Sequence, residues 1–159
     1  MCLGGNSMIT PLHEGISVPD MDAAIQWYRR AFGFRLQSDK VLPALNSRVV
    51  FLELDGFQLE LFQYLGADGH PLPPERREPN EDLKTCGVKH VAYRVDDLAK
   101  LMAHLEDMGV DVAIAPFEMG GNLVCFVRDC SGSLIELIQC RPAPCEQQKG
   151  SMSDVSHDR

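Results

Sequence analysis

Two histidines and two glutamates recur at matched positions in this chain. His13 and His90 are 77 residues apart, and Glu60 and Glu136 are 76 apart. An imidazole offers a lone pair and a proton that titrates near neutrality, and a carboxylate offers acceptor oxygens. Such a set suits proton transfer or the binding of a divalent cation. Any one of these residues alone has an ordinary reading, a satisfied core histidine or a hydrogen-bonded strand glutamate. Four at duplicated positions are harder to read that way. Two carboxylates brought to about 4 Å at an effective dielectric near 20 repel by about 4 kcal/mol, and burial adds to the cost. A divalent cation offsets both and gives the imidazoles a lone-pair acceptor. Two nitrogens and two carboxylates leave positions of a six-coordinate ion open for water or substrate.

The elements that must carry these residues are duplicated too. Asp20 and Asp97 are also 77 apart, and GFQLEL (Gly56, Glu60) is echoed by GSLIEL (Gly132, Glu136) at 76. Order, spacing and residue type recur together, so the chain reads as two modules, 8–64 and 85–140. In each, a strand (13–18; 89–95) leads to a helix. Asp20 or Asp22 caps the first helix, Ile25, Tyr28 and Phe32 form its apolar face, and Gly33 ends it. Asp97 caps the second, Leu98, Leu101, Met102, Leu105 and Met108 fall at helical spacing, and Gly109 ends it. Three strands follow each helix, near 35–42, 47–54 and 57–64, then near 111–117, 122–128 and 133–140. The last two of each set are joined by a turn, Asp55-Gly56 or DCSG at 129–132. The topology is βαβββ written twice, an α+β fold with helices on one face of a curved mixed sheet.

Side chains alternate along a strand. His13, Gly15 and Ser17 share one face, as do His90, Ala92 and Arg94. The bulkier Ile16 and Val18, or Val91, Tyr93 and Val95, face the helices. The histidine face is then concave, with small neighbours that leave room for a ligand. Glu60 and Glu136 alternate with apolar residues on the closing strands. If the modules are related by a pseudo-twofold axis, all four residues converge.

Composition narrows the function class. The 159 residues carry a net charge of −8, with a sequence pI near 5.0, which argues against nucleic acid or an anionic membrane as partner. No apolar run approaches the roughly 20 residues of a spanning helix, and the opening MCLGGNSMITPLHEG lacks the basic start and apolar core of a signal peptide. The six cysteines form no CxxC pair and are expected to be reduced thiols in a cytoplasmic protein. Residues 65–84 read as a Pro-rich, charged linker and 141–159 as a disordered polar tail. His70 and His157 read as solvated histidines in those segments, and His104 as one on the polar side of the second helix.

HEGISVPDMDAAIQWYRRAFGF, HVAYRVDDL and DCSGSLIEL resemble the vicinal oxygen chelate superfamily, the group of glyoxalase I, bleomycin-resistance protein and extradiol dioxygenases. The resemblance covers roughly 9–139. It departs in the last motif, where Cys130-Ser131 stands in place of the usual Pro-Asp-like pair. It implies paired βαβββ modules forming a half-barrel, within one domain at 8–140. It also implies one divalent metal (Zn, Ni, Co, Mn or Fe(II)) at His13, Glu60, His90 and Glu136. A two-His, two-Glu set is similar to the glyoxalase I type. There the metal binds two vicinal oxygens of a small substrate and stabilises an enediolate while a carboxylate, here Glu136 or Glu60, moves the proton. Epimerase-like members commonly carry Gln at the Glu60 position. The alternatives are an Fe(II) extradiol-type dioxygenase using His13, His90 and Glu136, or a non-catalytic small-molecule binding protein of the same fold. The dioxygenase needs a His and a Tyr beyond the metal, and Tyr93 is expected on the wrong strand face. Arg35, Arg48 and Arg94 are candidate anchors for an anionic substrate group. The resemblance also implies a homodimer, with modules paired within a chain or exchanged between chains.

Overall fold

The computed structural model describes residues 12–66, 78–84 and 86–140. His70, His157, most of the linker and the 141–159 tail lie outside them. The first module runs β1 (His13–Ser17), α1 (Met21–Phe32), β2 (Arg35–Leu42), a 3-10 turn (Pro43–Leu45), β3 (Ser47–Leu54) and β4 (Phe57–Tyr64). After a short helix, α2 (Pro79–Asp82), the second runs β5 (Val91–Arg94), α3 (Leu98–Asp107), β6 (Val112–Met119), β7 (Asn122–Arg128) and β8 (Leu134–Gln139). Each module makes one four-stranded sheet, ordered β1-β4-β3-β2 and β5-β8-β7-β6. In each, the first strand lies parallel to the last and the other pairings are antiparallel. The mixed α+β architecture is thus the expected one. Its sheet is divided into two four-stranded halves, and there is no closed barrel.

Local signals act where the chain needs them. Asp20 caps α1 by accepting from the Ala23 amide at 3.0 Å, and Asp97 caps α3 through Lys100 N at 2.9 Å, leaving Asp22 free to pair elsewhere. Gly33 ends α1 at φ +80°, where a Cβ would be strained, and its amide donates to the Arg29 carbonyl. Asp55 and Gly56, at φ 50° and 85°, have the paired positive φ of a type I′ hairpin. Gly120 and Gly121, at φ 57° and 83°, make a turn of the same kind between β6 and β7, a signal that the sequence reading passed over.

One core joins the modules. Leu52, Leu59 and Leu61 pack under Met21, Ala24, Tyr28 and Ala31, while Cys125, Val127, Ile135 and Leu137 pack under Leu98, Met102 and Leu105. At about 1.5–3 kcal/mol per fully buried large apolar side chain, this face supplies most of the driving force for folding. The bridge between the two halves is aromatic. Tyr93 of β5 lies against Phe32, Phe34 and Phe57 of module one, with ring centroids 5.5, 6.0 and 5.9 Å apart. His104 is tied as well as exposed, its Nε2 donating to the Arg30 carbonyl at 2.7 Å and so linking α3 to α1.

One boundary shifts in a way that bears on the site. The expected strand 89–95 begins only at Val91, so His90 sits one residue ahead of β5 rather than within it. Lys89 points to α2, its Nζ 2.6 Å from the Asp82 carbonyl and 3.3 Å from the Asp82 carboxylate. That tether draws the chain away from the ladder.

Candidate functional site

In module one the register sets Gly15 of β1 beside Glu60 of β4. His13, two residues back on the same face, reaches across so that Nε2 stands 3.1 Å from the Glu60 carboxylate. In module two Ala92 lies beside Glu136, and His90 Nε2 is 3.0 Å from its carboxylate. The two pairs are built alike by the two repeated stretches of chain. Both are partly open to solvent, with His13 and His90 at 33% and 35% side-chain exposure; Glu136, at 9%, is deeper than Glu60 at 18%.

Each imidazole is also held by a ring that the sequence reading missed. Phe51 of β3 is paired with Glu60, and Phe126 of β7 with Glu136. His13 meets Phe51 edge-on at 5.6 Å and 88°, and His90 meets Phe126 at 5.5 Å and 75°. The 75-residue spacing of these phenylalanines was the signal that could have found them. A ring edge-on to an imidazole fixes its plane without hydrogen-bonding to it, which leaves the ring nitrogens for the carboxylate or for a ligand.

Gly15 makes room for the first pair. A Cβ added there would come within 3.3 Å of the Phe62 ring and 3.7 Å of the Glu60 carboxylate. With two imidazole nitrogens and two carboxylates in all, the donors suit a borderline divalent ion. Each module contributes half of that set. Among the described residues, no group of three or more His, Cys, Asp or Glu side chains is close enough to hold a metal; the His13–Glu60 and His90–Glu136 pairs stand apart from each other.

The other singled-out residues divide sharply. Arg48 is held by Asp39 at 2.9 and 2.6 Å and by Asp22 at 2.8 Å, and Arg35 by Glu53 at 2.9 Å. Both are occupied with structure. Arg94, on the strand face of His90 and Ala92, has no such partner among the described residues. Tyr93 faces the core, as expected. Cys86, Cys125, Cys130 and Cys140 are free thiols. Burial pushes Cys125 and Cys130 up to about 11, with the nearby Asp129 charge adding to the effect at Cys130, so neither is an activated nucleophile.

Two acidic residues lie outside the expected set, and they behave oppositely. Asp129, buried at the β7–β8 turn, accepts from the Ser131 and Ser133 amides at 2.9 and 2.8 Å and from the Ser131 hydroxyl at 2.7 Å. Its other oxygen accepts the Tyr28 hydroxyl at 2.7 Å across 101 residues of sequence. Burial, and then the Asp129 charge, hold the Tyr28 phenol far above its ordinary range. Glu14, half-buried beside His13 but turned to the opposite strand face, has its carboxyl raised by burial, partly offset by His90.

Comparison with known proteins identifies the family and the fold. Residues 10–137 match the family model of the glyoxalase/bleomycin resistance protein/dioxygenase superfamily. A lactoylglutathione lyase of Arabidopsis thaliana is 30% identical over 139 residues, 84% of this chain and 45% of that protein. The chain therefore spans less than half the length of this relative. The mitochondrial methylmalonyl-CoA epimerase of Bos taurus is 28% identical over 131 residues, covering 80% of this chain and 72% of that protein. The crystal structure of glyoxalase I from Zea mays superposes with a TM-score of 0.66 at 26% identity, over 84% of this chain and 45% of that one. The chain belongs to the glyoxalase/bleomycin resistance protein/dioxygenase superfamily.

Proposed function

We propose that this superfamily member is a divalent-metal-dependent lyase or isomerase that moves a proton on a small substrate with two adjacent oxygens, through an enediolate-type intermediate. The observation that carries the reading is the duplicated His–Glu pair, at 3.1 Å in one module and 3.0 Å in the other. A bound cation held by His13, Glu60, His90 and Glu136 would supply Lewis acidity at the substrate oxygens and offset the repulsion between the carboxylates.

The chain's own groups divide the remaining work. Glu136 is the deeper carboxylate, better screened from bulk water, and we take it as the first candidate for general base. Glu60 is the second candidate, with a more open approach. Phe51 and Phe126 hold the imidazole planes. Arg94 offers a free cation on the same face for an anionic group of the substrate. The core-facing Tyr93 does not supply the tyrosine that a ring-cleaving dioxygenase needs near the metal, which weighs against that reading.

Four ligands require the two pairs to be brought face to face. In a homodimer, the first module of one copy can meet the second module of its partner, giving two complete sites. The free thiols fit a reducing cytoplasmic setting.

The test is metal analysis of the purified chain, followed by a panel of 2-oxoaldehyde–thiol adducts, acyl-CoA epimers and catechols. The expected result is stoichiometric divalent metal and turnover of one of the first two classes. His90→Ala and Glu136→Gln should each lower both metal content and rate. Full metal content and full activity in Glu136→Gln would overturn the assignment, and oxygen uptake with catechols under ferrous iron would replace it with the dioxygenase reading.

A further inference from the structure

A cleft of about 360 Å³ lies where the modules meet, within the size range of small-molecule sites. It adjoins the two His–Glu pairs through Gly15 and His90. Glu14 and Ile16 of β1 form one wall, Leu134 and Ile135 of β8 another, and Lys89 and Val91 close a third side next to α2. His90 touches it, but His13, Glu60 and Glu136 do not line it.

The polar groups around the cleft are nearly all engaged. Lys89 is bound to Asp82 at 2.6 and 3.3 Å. Arg128 is paired with Asp111 at 3.3 Å, and His90 with Glu136 at 3.0 Å. Glu14 is the exception: its carboxylate makes no hydrogen bond or ion pair among the described residues. Its neighbour on the same strand face, Ile16, packs against the core, and an apolar residue would be more stable at position 14 than an unpaired half-buried carboxylate. A local rule broken without a compensating partner marks a position shaped by something other than stability.

We infer that this cleft is a second binding site, for a small apolar molecule bearing an ammonium group, and that Glu14 is the residue that recognises it. The apolar walls take the hydrocarbon body. The Glu14 carboxylate takes the donor, exchanging an unmade contact for a charge-assisted one. A carboxylate-ended molecule of the same size is rejected, because Lys89 and Arg128 are already neutralised and Glu14 repels it. The inference goes beyond the proposed metal chemistry and does not need it.

The probes are hexylamine and hexanoate, titrated at pH 7.5 into the full chain after treatment with a chelator, with amide shifts followed by NMR. Using chelated protein separates this question from the metal reading, which can fail without changing the outcome here. Hexylamine should bind at least ten times more tightly than hexanoate and shift the Gly15, Val91 and Ile135 amides. Glu14→Gln is nearly isosteric and removes no existing contact; its spectrum should show the same fold, and the preference should shrink to about twofold or less. Three results would overturn the proposal. One is no hexylamine binding at millimolar concentration, and another is shifts confined to residues away from the cleft. The third is a preference that persists in Glu14→Gln, which would be the general attraction of an amine to a chain of net charge −8.

Discussion

The two modules carry the same chemistry on differently made walls. His13, Glu60 and Phe51 have their counterparts in His90, Glu136 and Phe126, with contact distances that agree to about 0.1 Å. Around these triplets the modules diverge. In module one a glycine stands beside the glutamate, and the next ring on β4 is Phe62. In module two the same places hold Ala92 and the smaller Ile138. The Cβ missing from one wall is balanced by bulk on its neighbour. Farther out, Phe126 stacks on Phe117 of β6 at 6.4 Å and 17°. Phe51 is instead paired with Ser38 of β2, beyond which lies Lys40. One cup is thus extended by aromatic surface and the other by polar surface. Duplication kept the His–Glu–Phe geometry and released the walls, so under the proposed function metal binding is expected to be shared between modules and the discrimination among substrates divided between them.

The largest effect should come from breaking the triplets. His13→Ala and His90→Ala are each expected to lower activity by at least about 100-fold, to a similar extent if the modules contribute equally. Mixing the two inactive variants then separates shared from private sites. If sites form between copies, a heterodimer carries one site with both histidines intact, and re-equilibrated mixtures should recover about a quarter of wild-type activity. No recovery in verified heterodimers would place each site within a single chain. An asymmetric result, with Glu60→Gln active and Glu136→Gln dead, would break the equivalence and favour a three-ligand centre.

The wall difference predicts the next effect. Phe126→Ala should cost about 2–3 kcal/mol in urea unfolding and Phe51→Ala about 1–2, because only Phe126 also loses a stacked ring. Equal costs would mean that the Phe117 stack contributes nothing measurable. Two tyrosines that bridge the modules give a paired test. Tyr28→Phe removes a hydrogen bond to a buried carboxylate and should cost about 1.5–3 kcal/mol. The Tyr93 hydroxyl is buried without a hydrogen-bond partner among the described residues, so Tyr93→Phe should be neutral or stabilising by up to about 1 kcal/mol.

The smallest effect is at the outer edge of module one. The Arg48 hydrogen bonds hold the Asp39 carboxyl below its usual value. A carboxyl lowered on folding contributes stability that is present above its unfolded pKa, near 3.9, and is lost as pH falls through the folded value. The contribution should stay under about 1 kcal/mol, since the pair is partly exposed. Asp39→Asn and wild type should therefore converge in stability as pH falls through the lowered folded value of Asp39. A gap that widens on acidification would show another role for Asp39.

The duplicated topology was legible because a repeat keeps order and spacing even where residue types drift, and because caps such as Asp20, Asp97 and Gly33 act locally. The His and Glu positions were legible for the same reason. What escaped depended on contacts distant in sequence. Phe51 and Phe126 read as ordinary alternating strand residues until the register set them beside the glutamates. Tyr28 and Asp129 are 101 residues apart, and nothing local to either names the other. The start of β5 was misplaced because Val88 and Lys89 have strand-compatible neighbours, while the Lys89–Asp82 tether belongs to tertiary structure. Glu14, a charge on an otherwise apolar strand face, went unremarked, because its significance rests on the cleft in front of it.

The bond from Tyr28 to Asp129 also bears on the order in which the molecule is made. A chain synthesised from its N-terminus completes α1 and the first sheet while Asp129 is still to come. Until then the Tyr28 hydroxyl must find water, and Phe32, Phe34 and Phe57 lack the ring of Tyr93. The first module can form its ladders early, yet its helix face stays apolar and uncovered until the second is at least partly assembled. A ribosome-held fragment ending before residue 91 should accordingly bind a hydrophobic dye or a chaperone, and release it as the second sheet closes.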